Sequence, residues 1–208
     1  MSILKNFAVF EGGDGSGTTT QIKMLCDKFP HNALETFYNT FEPTDGNIGR
    51  LIRQGLRGEI QFNAETIAYL FAADRSEHIF AKGGIKERCE RGELVVSDRY
   101  VHSSLVYQGI TCGDDLPALL NRDFPVPELL LFFDLDPEIA QKRIESRSQK
   151  EIYEKLEFQI LVRNRYRALL PALADSGCHV EIIDASKTAE EVSAEVWGAL
   201  SKMPIFKK

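Results

Sequence analysis

Short apolar runs alternate with amphipathic stretches along the chain. The runs are FAVFE from residue 7, LVVSD from 94, LLLFFDL from 129 and HVEIID from 179, with a weaker candidate in ALETFY at 33–38. Strands covered on both faces lose the polar–apolar alternation, so this series predicts an α/β fold: a central parallel sheet with helices on both sides, three layers in all. Ile22, Leu25, Cys26 and Phe29 fall at i, i+3, i+4 and i+7, which marks a core-facing helical stripe directly after a glycine-rich segment. A length of 208 residues without repeat, low-complexity tract or linker predicts one domain over 1–208.

In such a sheet, ligands bind outside the carboxyl ends of the strands. Two polar clusters fall there. The first, FEGGDGSGTTTQ, follows the first strand and matches the phosphate-loop pattern G-x-x-x-x-G-K-[ST] from Gly12 to Gly17, with Thr19 in register. Gly12, Gly13, Gly15, Ser16, Gly17 and Thr20 would turn main-chain amides toward a phosphate at the helix start, and the Thr19 hydroxyl is the expected magnesium ligand. The competing reading is a merely tight strand-to-helix turn; the strand before, the helix after and the register of Thr19 weigh against it. Thr18 stands where the pattern has lysine. In a dry site that lost cation removes about 3–4 kcal/mol of transition-state stabilisation unless another group replaces it, on the order of a hundred- to a thousand-fold in rate. Binding should suffer less than turnover.

A net charge of -6 argues against general nucleic-acid affinity. Cys26, Cys89, Cys112 and Cys178 show no C-x-x-C spacing, and His31, His78, His102 and His179 form no metal-ligand pattern. No apolar run approaches the roughly 18 residues needed to cross a bilayer, and none reads as a signal peptide, so the expected home is the reducing cytoplasm.

The second cluster lies in VVSDRYVHSSLVYQG. Asp98 ends a buried strand beside the loop, where it can hold magnesium or its waters, and Arg99 offers a planar fork suited to phosphate. The bland alternative is a buried Asp98–Arg99 pair capping the strand. At this point the chain resembles the thymidylate kinase family, nearly end to end. FEGGDGSG is similar to that family's phosphate loop, FEPTDGNIGRLIR to its next block, LFAADRSEHI to its nucleoside-binding helix, DRYVHSSLVYQG to its signature and IDASKTAEEV to its adenine-side segment.

The resemblance implies transfer of the γ-phosphoryl of ATP to dTMP with Mg²⁺, in a cytoplasmic protein that pairs as a homodimer. It places Asp14 and Arg99 near the transferring phosphates, Phe71 stacked on thymine, Arg75 hydrogen-bonded to the base, and Ser103, Ser104, Tyr107 and Gln108 around base and deoxyribose. Ile67, Phe71 and Arg75, four apart, share one helical face, so a guanidinium emerges from an apolar stripe and needs a partner. A pyrimidine carbonyl would serve; so would an internal carboxylate. Arg143, Arg147, Lys150, Arg163, Arg165 and Arg167 read by themselves as a mixed-charge exposed hairpin. In the resembled family the segment, here about 143–158, is a lid over ATP. Gly15 stands where some members carry arginine, which makes Arg147 and Lys150 the candidates for replacing charge, with Arg143 a candidate for adenine stacking. Phe41 replaces a second family arginine, for which Arg50, Arg53 and Arg99 are the possible substitutes. Two departures on one reaction path keep a nucleotide-binding protein with negligible turnover in view, and a deoxynucleoside kinase shares the fold.

Overall fold

The computed structural model describes residues 2–28, 37–144, 153 and 155–207. Its strands and helices run β1 (Ile3–Gly12), α1 (Thr18–Lys28), β2 (Phe37–Phe41), α2 (Asn47–Leu56), α3 (Ala64–Phe80), α4 (Ile85–Glu90), β3 (Leu94–Asp98), α5 (Val101–Cys112), α6 (Asp115–Asn121), β4 (Val126–Asp134), α7 (Pro137–Ile144), α8 (Leu156–Asp175), β5 (His179–Asp184) and α9 (Ala189–Leu200). The five strands form one parallel sheet in the order β2-β3-β1-β4-β5. β1 therefore lies centrally, with Phe10 opposite Asp98 of β3 and Gly12 opposite Phe133 of β4. That register sets the glycine loop beside the second polar cluster.

Successive β1 side chains go to opposite faces, as pleating requires. Ala8 and Phe10 join Val96, Leu131 and Phe133 under α1 and α9, where Ile22, Leu25, Val192, Val196 and Leu200 complete the layer. Phe7 and Val9 join Val95, Ile79, Ile85 and Tyr100 on the other face, beside a cluster built from Leu130, Phe132, Val162 and Tyr166. Truncating a fully buried phenylalanine such as Phe10 or Phe133 to alanine should cost about 3–5 kcal/mol.

The runs at 94–98 and 179–184 are strands over those same residues. β1 begins four residues before the apolar run. Asn6 adopts a left-handed φ of 63° and shifts the pairing with β4 between Leu4 and Ala8, so Lys5 and Asn6 interrupt the apolar pattern of a strand that nonetheless continues. The Asn6 amide donates to Glu128 Oε2 at 2.7 Å and stabilises the irregularity. The weak candidate at 33–38 is described only from Phe37, where β2 starts. In α1, Ile22 and Leu25 are buried and Cys26 partly so, while Phe29 lies outside the described residues. No described helix is long and apolar enough to cross a membrane.

Candidate active site

The loop between β1 and α1 takes its shape from glycines at positions where a side chain would be strained. Gly15 has φ +82°, and a Cβ there would lie 2.8 Å from the Ala140 carbonyl of α7; an arginine at this position has no room. Gly17 has φ +93°, and the Ser16 amide donates back to the Gly13 carbonyl at 3.2 Å. α1 begins at Thr18, so its unpaired first-turn amides face the loop. Thr18 itself is buried. Thr19 Oγ1 donates to Asp98 Oδ2 at 2.7 Å, while Asp98 Oδ1 is buried without a hydrogen-bond partner. An anionic oxygen left bare beside a hydroxyl is the donor set that a hard divalent cation prefers.

Arg99 is the hinge of the site. It sits one residue past β3 with a left-handed φ of 70°, a conformation that costs of order 1–3 kcal/mol for a side-chain-bearing residue. Its amide on the Phe10 carbonyl at 2.9 Å and its carbonyl under Ser97 Oγ at 2.8 Å hold it there. The turn throws the guanidinium back across the loop, where it donates to Asp14 Oδ1 at 2.6 Å and to the Gly12 carbonyl at 3.0 Å. Asp14 is gripped from the other side as well. Gln159 of α8 donates to its Oδ2 at 2.8 Å and accepts from its amide at 3.1 Å. The same Gln159 donates to the Tyr153 carbonyl at 2.9 Å, and Tyr153 lies against Tyr107, with ring centroids 5.6 Å apart.

Beneath Arg99 lies Glu11, fully buried at 0% exposure. Its Oε1 accepts from the amides of Tyr100 at 2.9 Å and Ser103 at 3.2 Å, and its Oε2 from Ser103 Oγ at 2.7 Å and the Tyr166 hydroxyl at 2.8 Å. Burial alone pushes this carboxyl up, but the adjacent His102 imidazole, Ser103 and the Arg99 charge outweigh it and hold the group below the ordinary carboxylate value.

Arg75 is also buried, at 1% exposure, and its internal partner is a carboxylate. Nε donates to Glu42 Oε2 at 2.8 Å, NH1 to Asn121 Oδ1, and NH2 to Ser104 Oγ at 3.0 Å and the Tyr100 carbonyl at 3.2 Å. Four of the five guanidinium N–H groups are thereby engaged among the described residues, and the fifth, on NH1, is left over. The turn that carries Glu42 is set by Asp74, which accepts from the Thr44 amide and hydroxyl, both at 2.7 Å. Gly49 lets α2 close over this turn, since a Cβ there would lie 1.9 Å from the Thr44 carbonyl.

These elements enclose one cavity of about 680 Å³ that runs from the glycine loop to Phe71 and Arg75. Every site residue expected from sequence and described by the structure borders it except Gly12 and Ser104, which stand one layer behind. Arg143, at the end of α7, reaches the cavity and forms no ion pair among the described residues. Arg147 and Lys150 lie outside the described residues. Of the three arginines weighed against Phe41, Arg53 and Arg99 border the cavity, and the Arg53 guanidinium stands 5.9 Å from the Phe41 ring centroid. Arg50 instead bonds the Asp45 carbonyl and Asn47. Arg163 and Arg167 point away, paired with Asp134. The sequence reading missed Glu11, Glu42, Tyr153, Gln159 and Lys187; the first acts behind the cavity, Gln159 grips its loop and the other three border it.

A family model described as "Thymidylate kinase" matches residues 10–196. A protein of Methanococcus maripaludis named "Probable thymidylate kinase" is 46% identical over 169 residues, covering 80% of this chain and 78% of the relative. Its namesake in Pyrobaculum aerophilum is 39% identical over 202 residues, covering 97% and 99%. Among solved structures, a thymidylate kinase from Candida albicans superposes with a TM-score of 0.81 over 97% of this chain and 93% of that one, at 23% identity, a likeness of fold.

Proposed function

The chain belongs to the thymidylate kinase family, and from that premise we infer that it is a dTMP kinase, transferring the γ-phosphoryl of ATP to dTMP to give dTDP. One observation carries the reading in this molecule. A single cavity joins a phosphate loop to an aromatic and guanidinium pocket, with Arg99 and Asp14 between them.

Transfer between two anionic nucleotides needs alignment and neutralisation more than covalent help from the protein. The loop amides and the start of α1 hold the ATP phosphates, and Thr18 adds a neutral hydroxyl to that cradle. Arg99, tied to Asp14 and the Gly12 carbonyl, holds a delocalised cation at the junction. Phe71 stacks on the thymine, the spare N–H of Arg75 meets a ring carbonyl, and Tyr107, Ser103 and Gln108 surround the sugar. Arg53 stands in for the arginine that Phe41 replaces at the dTMP phosphate. Thr19 and Asp98, whose Oδ1 lacks a partner, would hold Mg²⁺, which when bound neutralises phosphate charge. Arg143 takes the adenine side, and Arg147 and Lys150 bring further charge from a lid over about 143–158. The chain works as one domain over 1–208 within a cytoplasmic homodimer.

The test is product formation from ATP and Mg²⁺ with dTMP, compared with thymidine. dTDP from dTMP, with thymidine left untouched, is expected. Nucleotide binding without turnover, or preference for thymidine, overturns the reading.

A further inference from the structure

α3 carries His78 on the stripe that bears Phe71 and Arg75, at i, i+4 and i+7. Its imidazole is nearly buried and bridges two residues of β2 and the turn after it. Nδ1 lies 3.1 Å from Glu42 Oε1, and Nε2 lies 2.6 Å from Thr40 Oγ1. Glu42 presents its other oxygen, Oε2, to both Nε and NH2 of Arg75 at 2.8 Å. A carboxylate that receives an arginine only accepts, so Nδ1 carries a hydrogen, and in the neutral imidazole Nε2 accepts from the Thr40 hydroxyl. A chain of hydrogen bonds thus runs Thr40 to His78 to Glu42 to Arg75 and ends at the one guanidinium N–H left for a ligand.

We propose that His78 is a positioning residue that sets base selectivity, by fixing Glu42 in the place from which it orients Arg75. The inference rests on the reading that the Phe71 and Arg75 pocket takes the pyrimidine of dTMP. Glu42 has a side-chain exposure of 2%, so no water replaces a lost donor on Oε1. Without His78 the carboxylate turns toward other donors, and the guanidinium bonded to it turns with it. A fixed N–H donates to the 4-carbonyl of thymine and repels the 4-amino group of cytosine. A donor free to swing loses that discrimination, because rejection depends on a buried group that cannot relax.

The experiment measures kcat and KM for dTMP and dCMP, and KM for ATP, in the wild type and in His78→Leu, His78→Asn and Thr40→Val. His78→Leu should raise the dTMP KM about tenfold and reduce the dTMP-to-dCMP ratio of kcat/KM about tenfold, with kcat changing far less. His78→Asn, whose side-chain N–H replaces the Nδ1 donor, should restore most of the ratio. Thr40→Val keeps the imidazole but frees Nε2, and should lower the ratio by about threefold; it serves as the test should His78→Leu fail to fold. An unchanged ratio in the folded variants, or ATP and dTMP KM values rising together, overturns the inference alone. A wild type that does not phosphorylate dTMP overturns the functional reading and this inference with it.

Discussion

At the Phe71 end of the cavity the charges are already in place: Arg75 on Glu42, Asp74 under Thr44, and Arg53 on the carbonyl of Thr44 at 2.7 Å. At the loop end, main-chain amides line the cradle, Thr18 contributes no charge, and Arg143 reaches in without an ion pair among the described residues. On the proposed reading the acceptor nucleotide would meet charges already fixed by one another, and the donor a cradle whose cations come from elsewhere. Arg99 is the group common to both ends. Under that reading discrimination falls to the first region and charge neutralisation during transfer to the second, so substitutions in the two should separate KM from kcat.

The largest effect is expected where the regions meet. Arg99→Ala removes the cation between Asp14 and the loop and should lower kcat by about a thousandfold, measured as dTDP formation at saturating substrates. A loss below tenfold would move the charge-stabilising role to another residue. Next comes the support beneath it. Glu11→Gln leaves buried donors facing an amide and should cost about 2–4 kcal/mol of stability, read as a lower Tm. The sign with pH follows from the depressed carboxyl. Its stabilising contribution is complete above the ordinary value of 4.5 and is lost as pH falls through the lower folded value. The Tm gap between wild type and Glu11→Gln should accordingly hold steady near neutrality and narrow in acid. A gap of constant size throughout would show that the Glu11 charge adds nothing. The smallest effect belongs to the donor end: Arg143→Ala should raise the ATP KM by about three- to tenfold and leave the dTMP KM unaltered. A shift in dTMP instead would place Arg143 on the wrong side of the comparison.

The donor end was the more legible from sequence. A phosphate loop is a local object, written in consecutive residues between a strand and a helix, and the Asp98-Arg99 cluster is likewise contiguous. Most buried strands could be read from their apolar runs, but β1 was cut short by four residues, because Asn6 turns left-handed within it, and β4 by three, since it starts at Val126 ahead of the run at 129. The supports of the site are of another kind. Gln159 reaches Asp14 across 145 residues of chain, and Tyr166 reaches Glu11 across 155, so neither pairing leaves a local pattern. Arg75 shows the boundary between the two cases. Its helical spacing announced a guanidinium in need of a partner, but Glu42 became identifiable only when β2 was laid against α3. His78 had no ligand spacing to be noticed by, since its partners Thr40 and Glu42 lie on β2 and in the turn after it.

The account turns on phosphoryl transfer without the loop lysine, and the direct test is the kcat of Thr18→Lys against the wild type under saturating ATP, Mg²⁺ and dTMP. If Arg99, the loop amides and charge from the lid already do the lysine's work, restoring it should alter kcat by no more than about threefold in either direction. A gain of several hundredfold, on the order of the full contribution of a transition-state cation, would contradict that claim and mark the native site as lacking an essential charge.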